Sequence, residues 1–317
     1  MSGRTYDCDP VWPRIQEFLP EECRLTADNM PDEEYVAMSG RFSVHIDHYV
    51  PDEAKTVLVV LHGVGGNGRL LSFVAAPLAK RGYEVVCPDL PMYGLTEYAG
   101  TVTYDDWAKV AAGVAERYRR NGLPLYVFGL SAGGLLAYET ACRTEGVNGL
   151  MATCLLDQRI PEVTRNTSNN ILTAVLGKQL LGLMNRRLGS LKLPMKSVCN
   201  MKAIVNNEEI AEILMADRLS SGASVSLEFL HGMLNPVLTT EPEDFAGCPV
   251  MLAQPEMDRW TEERLSRLFL NRMDKRRVHT EVVRLPGAGH FPIEETGLDA
   301  LVNVCDRFMS EQEGENR

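Results

Sequence analysis

The feature that most narrows the fold is a series of apolar runs without polar alternation. From Lys55 onward the chain reads TVLVVLHG, YEVVCPDL, LPLYVFGL, GLMATCLLD and CPVMLAQP. A strand with one face in water alternates apolar and polar residues, whereas a strand covered on both faces can be apolar throughout. Between the first four runs lie NGRLLSFVAAPLAKRG, TYDDWAKVAAGVAERYRRNG and AGGLLAYETACRTEGV, each with a helical repeat and a glycine near its C-terminal end. Strand and helix alternating in this way predict a doubly wound, mostly parallel α/β sheet with right-handed crossovers.

Ahead of that series, EEYVAMSG and RFSVHIDHYVP alternate apolar and polar residues and meet at Gly40, which predicts an antiparallel hairpin at a sheet edge. Residues 1–31 carry Pro10, Pro13, Pro20 and Pro31 around one short helix and read as an extension packed on the body. The alternation breaks over 158–240, where NNILTAVLGKQLLGLMNRRLGSLKLPMK and NEEIAEILMADRLSSG supply helical patterns and no convincing strand. That stretch is expected to be an inserted helical cap, which divides the core into residues 32–157 and 241–317. After CPVMLAQP the pattern predicts a helix at LSRLFLNRM, a last strand at VHTEVVRLPG and a closing helix at LDALVNVCDRFMSEQ.

With 317 residues, 45% of them hydrophobic, the chain can bury a large core. Its net charge of -11 offers no basic footprint for nucleic acid or an anionic membrane. The start of the chain lacks the apolar stretch of a secretory leader, and no window is long and apolar enough to span a bilayer. Eight cysteines are scattered without C-x-x-C pairs or neighbouring histidines, so neither redox nor zinc chemistry is indicated, and a cytoplasmic location is expected.

The chemistry centres on GLSAGG, residues 129–134, at a strand-to-helix junction. A serine there can stand above the sheet only on a tight turn, and any side chain at Gly129 or Gly133 would crowd the neighbouring backbone. Ser131 is therefore the candidate nucleophile, and it needs a base and an acid. His290 lies in LPGAGHFPIEE, a glycine-rich loop after the last strand, where a side chain can lean over the strand ends. For the acid, Asp258 in AQPEMDRW follows a strand at its carboxyl end, where ligands meet such sheets. Asp157 ends the strand GLMATCLLD and reaches the same rim, while Glu256 stands two residues from Asp258; both remain rivals. Two rigid backbone donors are needed for a tetrahedral oxyanion, and the N–H groups of Val64, in LHGVGGNG, and Ala132 are the candidates. None of this chemistry calls for a metal or a cofactor.

Taken in order, LHGVGGNG, CPDLPMYG, GLSAGG, AQPEMDRW and PGAGHFPIEE resemble the α/β-hydrolase superfamily over residues 34 to 310. Within it the chain is most similar to the capped esterase, lysophospholipase and monoacylglycerol lipase branch. The resemblance implies Ser131 as nucleophile, Asp258 as acid, His290 as base, and Val64 with Ala132 as oxyanion donors. It implies a small-molecule ester as substrate, cleaved through an acyl-serine intermediate; the net charge predicts no nucleic-acid partner, and the apolar and basic residues of the cap suit an apolar acyl group and transient lipid contact. Met92 and Tyr93 depart from the pattern, standing where relatives often show GHG, and a serine at 131 argues against the dehalogenase and epoxide hydrolase relatives. Thioesterases, acyltransferases and carbon–carbon bond hydrolases share this elbow, and a ligand-binding protein can share the fold, so the reaction stays open at this point. In the cap, Leu176, Leu180, Leu181, Leu183, Met184, Leu188 and Met195 fit either an acyl pocket or a plain core; Lys178, Arg186 and Arg187 lie among them.

Overall fold

The computed structural model describes residues 4–167, 182, 184–185, 187–195 and 203–315. Eight main strands follow one another along the chain: β1 (Asp32–Met38), β2 (Phe42–Tyr49), β3 (Thr56–Leu61), β4 (Tyr83–Pro88), β5 (Leu125–Gly129), β6 (Val147–Ala152), β7 (Val250–Pro255) and β8 (Thr280–Leu285). They lie side by side in the order β1-β2-β4-β3-β5-β6-β7-β8, and a two-residue strand, Glu97–Tyr98, pairs with β2. From β4 to β8 every pair is parallel; β2 runs antiparallel to both β1 and β4. The β1–β2 hairpin turns through a three-residue loop in which Arg41 N–H donates to Met38 C=O (3.2 Å) across Ser39 and Gly40, both at positive φ (53° and 64°).

Among the described residues the main helices are α1 (Trp12–Gln16), α2 (Ser72–Lys80), α3 (Tyr104–Tyr118), α4 (Ala132–Arg143), α5 (Pro161–Thr167), α6 (Glu208–Ala216), α7 (Leu227–Leu234), α8 (Glu263–Leu270) and α9 (Glu295–Glu315). Two hydrophobic clusters, one on each face of the sheet, explain the uninterrupted apolar runs. In β3, Val57, Val59 and Leu61 join α3 and α4 side chains such as Trp107, Val110 and Leu136. Leu58 and Val60 point the other way, into a cluster with Phe73 of α2 and Leu301 and Phe308 of α9. The same division holds in β5, where Leu125 and Val127 serve one face and Tyr126 and Phe128 the other. The period of two survives, with both phases apolar because both faces are covered.

Trp12, Ile15, Leu19, Cys23 and Leu25 bury the N-terminal segment in the α2/α9 cluster. Between β6 and β7 the described residues hold α5, α6 and α7, and also two three-residue strands, Lys192–Pro194 and Ser224–Ser226, paired antiparallel. The expectation of a stretch without strands is corrected there: three residues are too few to show a period. Met195 is fully buried against the body, whereas Leu188 is exposed. Leu176, Lys178, Leu180, Leu181, Leu183 and Arg186 lie outside the described residues. Among the described residues, no helix is long and apolar enough to cross a membrane.

Candidate active site

The sheet order reverses at β3: β4 is added on one side and β5 on the other. Loops leaving the carboxyl ends of β3 and β5 therefore diverge above adjacent strands and leave a crevice between them. One carries residues 62–68; the other is the turn into α4. Ser131 sits on that turn at φ 56° and ψ −127°, a conformation that side-chain-bearing residues avoid. Glycines make the turn physically possible. A Cβ on Gly129 would strike Gly133 C=O, and one on Gly133 would strike Leu61 C=O. The turn is stitched by Gly133 N–H to Leu130 C=O (2.8 Å) and Gly134 N–H to Ser131 C=O (2.8 Å), while Ser131 N–H donates to Thr153 Oγ1 (2.9 Å).

His290 descends from the loop after β8 and places Nε2 2.7 Å from Ser131 Oγ. Its Nδ1 lies 2.8 Å from Asp258 Oδ2, from the loop after β7. A carboxylate accepts only, so Nδ1 carries the proton and Nε2 is free to accept from the serine hydroxyl. Asp258 is held from several sides: Oδ1 accepts Trp260 N–H (2.7 Å) and Thr261 N–H (2.8 Å), and Oδ2 accepts the Thr261 hydroxyl (2.6 Å). Burial pushes this carboxyl upward, but His290 and the Thr261 donors outweigh it and hold it below the ordinary aspartate value. The Trp260 ring meets the imidazole edge-on at 4.8 Å between centroids. Both rivals for the acid are placed elsewhere. Asp157 is buried in ion pairs with Arg159 (2.8 Å) and Arg272 (3.2 Å), and Glu256 is exposed and accepts Gly287 N–H.

The 62–68 loop faces the serine. Gly66 N–H donates to Gly63 C=O (3.1 Å), closing a four-residue turn with Gly65 at φ 83° in the third position, which a type II turn reserves for glycine. At Gly63 a Cβ would lie 2.9 Å from Ser131 Cβ and 3.0 Å from Ala132 N, so only glycine lets this loop approach the elbow. His62, which directly follows β3, organises the turn. It donates from Nδ1 to Gly63 C=O (2.7 Å) and accepts Leu90 N–H at Nε2 (2.9 Å). Burial drives its pKa down to about 4, so the ring stays neutral. Gly63 C=O and Val64 N–H belong to one trans peptide, so fixing the carbonyl also fixes the direction of the N–H opposite it. Ala132 N–H opens α4 and has no acceptor within the helix. A cavity of about 30 Å³ is lined by Ser131, His290 and Val64, with apolar walls from Leu70, Leu130, Leu214 and Phe291.

Among the described residues, Glu33, His45 and Asp47 are the one group spaced to ligate a metal ion. Arg69 already bonds both carboxylates there, to Asp47 at 2.6 and 2.9 Å and to Glu33 at 3.1 Å, and so supplies the positive charge.

Comparison with known proteins bears on this arrangement. The model of a family described as the alpha/beta hydrolase family matches residues 58–304. The chain belongs to the alpha/beta hydrolase family. This hydrolase-family chain is similar in fold to a soluble variant of monoglyceride lipase from Saccharomyces cerevisiae. The two are 15% identical, with a TM-score of 0.73 over 93% of this chain and 98% of that one. It is similar to a monoacylglycerol lipase from Paleococcus ferrophilus, with 17% identity and a TM-score of 0.65 over 85% and 99% of the two chains. An esterase from M. tuberculosis shares 16% identity and a TM-score of 0.57 over 95% and 97%. Comparison with curated proteins found no match.

Proposed function

We propose that this alpha/beta hydrolase cleaves a carboxylic ester through an acyl-serine intermediate. The observation that carries the reading is the continuous hydrogen-bonded line from Ser131 Oγ through the His290 ring to the buried Asp258 carboxylate. In the first step His290 Nε2 takes the hydroxyl proton as Oγ attacks the carbonyl carbon, and the imidazolium returns that proton to the departing alcohol. Water then attacks the acyl-serine, giving its proton to Nε2; collapse frees the acid and returns the proton to Oγ. Asp258 fixes the imidazole and offsets its transient positive charge, while Val64 N–H and Ala132 N–H hold the oxyanion. The apolar walls around Ser131 support an apolar acyl group, and residues 158–240 act as the cap over it. A fold shared with proteins described as monoglyceride lipases and an esterase agrees with this choice. Among the described residues seven cysteines are free, five of them buried, which supports a reducing, cytoplasmic setting.

The deciding experiment compares hydrolysis of p-nitrophenyl esters from acetate to palmitate by the native protein and by Ser131→Ala. Turnover that requires Ser131, with one preferred chain length, is expected. Equal rates from the two proteins, or none at any length, would remove the ester reading.

A further inference from the structure

The 62–68 loop has glycine at 63, 65, 66 and 68, so little in its own covalent structure holds Val64 N–H toward the serine. One end of its turn is pinned from below by His62. The other is pinned from above, by a residue of the segment inserted between β6 and β7. We propose that Ser221 is a positioning residue for oxyanion stabilisation, latching the turn that carries Val64 through its hydroxyl. The inference rests on the serine-hydrolase reading above.

After α6 the chain makes a compact turn around Asp217. Leu219 N–H donates to Asp217 Oδ1 (2.9 Å), the Ser220 hydroxyl to Oδ2 (2.5 Å), and Gly222 N–H to Asp217 C=O (2.8 Å). A Cβ on Gly222 would lie 2.6 Å from that carbonyl oxygen, so the turn closes this tightly because residue 222 is glycine. Such a self-braced turn can act as a rigid arm. It meets the body at three hydrogen bonds. Leu219 C=O accepts Gly94 N–H (2.8 Å) and the Asn67 side-chain amide (3.3 Å), and the Ser221 hydroxyl donates to Gly65 C=O (3.0 Å).

Ser221 is 3% exposed and lines the same cavity as Ser131 and Val64. Its bond to Gly65 C=O falls one residue beyond Val64, while the His62 bond to Gly63 C=O falls one residue before it. Val64 is thus clamped between two pinned carbonyls, one held by the core and one by the inserted segment. When the arm is displaced, Gly65 C=O loses its partner, and the Gly65–Gly66 peptide, whose N–H closes the turn onto Gly63 C=O opposite Val64 N–H, regains the rotation that glycines permit. Oxyanion stabilisation is then complete only with the inserted segment seated.

The test uses the full chain with two readouts: p-nitrophenyl acetate kinetics and the rate at which a fluorophosphonate probe labels the protein. In Ser221→Ala we expect kcat and labelling rate to fall roughly tenfold with KM little changed, because a donor is loosened, not removed. Ser221→Thr, which keeps the hydroxyl, is expected to restore both. Should the alanine variant fold poorly, Ser221→Cys fills the space with a weak donor and is expected to show the same selective loss in kcat. Native kcat in the alanine or cysteine variant, or a change confined to KM, overturns the latch. A native protein that neither labels nor turns over, like its Ser131→Ala variant, overturns the hydrolase reading instead, and the latch with it.

Discussion

Thr261 gives Asp258 both its backbone N–H and its hydroxyl, and the side chain is fully buried. Thr261→Val keeps the shape and the N–H but leaves Oδ2 with His290 alone. A hydrogen bond to a buried carboxylate is worth about 2 kcal/mol, so we expect that loss in the denaturant midpoint together with roughly tenfold in kcat. Unchanged kcat beside a lowered midpoint would assign Thr261 to stability only. Neither Thr261 nor Ser221 could be singled out from the sequence. Ser131 and His290 announce themselves by the glycines around them and by their place after strands. Thr261 and Ser221 have ordinary neighbours and matter only through partners that the fold brings close. The choice between Asp258 and Asp157 was open for the same reason: both follow strands at the same sheet rim. The arginines that occupy Asp157 come from residues 159 and 272.

At the scale of elements, α3 forms one wall of the larger core cluster and starts with a complete capping box. Thr103 Oγ1 accepts Asp106 N–H (3.0 Å), and Asp106 Oδ2 accepts Thr103 N–H (2.8 Å). Trp107, one turn in, packs at 4.7 Å on the Phe229 ring of α7, so the start of this helix also seats part of the inserted segment. Thr103→Ala is expected to cost about 1 kcal/mol, seen as a lower thermal midpoint, while Ser131 still labels with a serine-directed probe. A midpoint equal to the native one would show that Asp106 alone suffices. The strands of the main sheet were legible because covering both faces leaves a composition that a half-exposed strand lacks. Lys192–Pro194 and Ser224–Ser226 were not, since KLP and SVS carry no period and pair only across an interval of the chain.

Across the whole molecule, a buried knot of charge ties together parts of the chain that the sheet alone does not join. His45 on β2 lies 2.9 Å from Glu33 on β1 and 3.0 Å from Asp89 beyond β4. The Tyr6 hydroxyl donates to Asp89 (2.9 Å), and Asp89 also accepts Gly68 N–H (2.7 Å) at the end of the loop beside Ser131. Burial alone would lower the His45 pKa, but Asp89, Glu33 and Asp47 reverse this and raise it from 6.5 to about 10. A folded value above the unfolded one means that the contribution is whole below 6.5 and is lost as pH rises through 10. Thermal midpoints should therefore fall from neutral pH towards 10, and His45→Gln should flatten that fall. Parallel slopes in the two proteins would discount the knot. None of it was legible beforehand, because its members stand at residues 6, 33, 45, 47, 69 and 89 and no motif links them.

Ser131 and His290 are separated by 159 positions, with β6, the inserted segment, β7 and β8 between them. A chain synthesised as far as Leu285 contains the residues of the Ser131 turn and of the eight main strands, yet lacks the histidine that the proposed mechanism needs to activate the hydroxyl. On that mechanism, reactivity at Ser131 is expected only once the His290 loop has joined the fold. During refolding, capture of Ser131 by a serine-directed reagent would then time the approach of His290, which ordinary measures of helix content pass over.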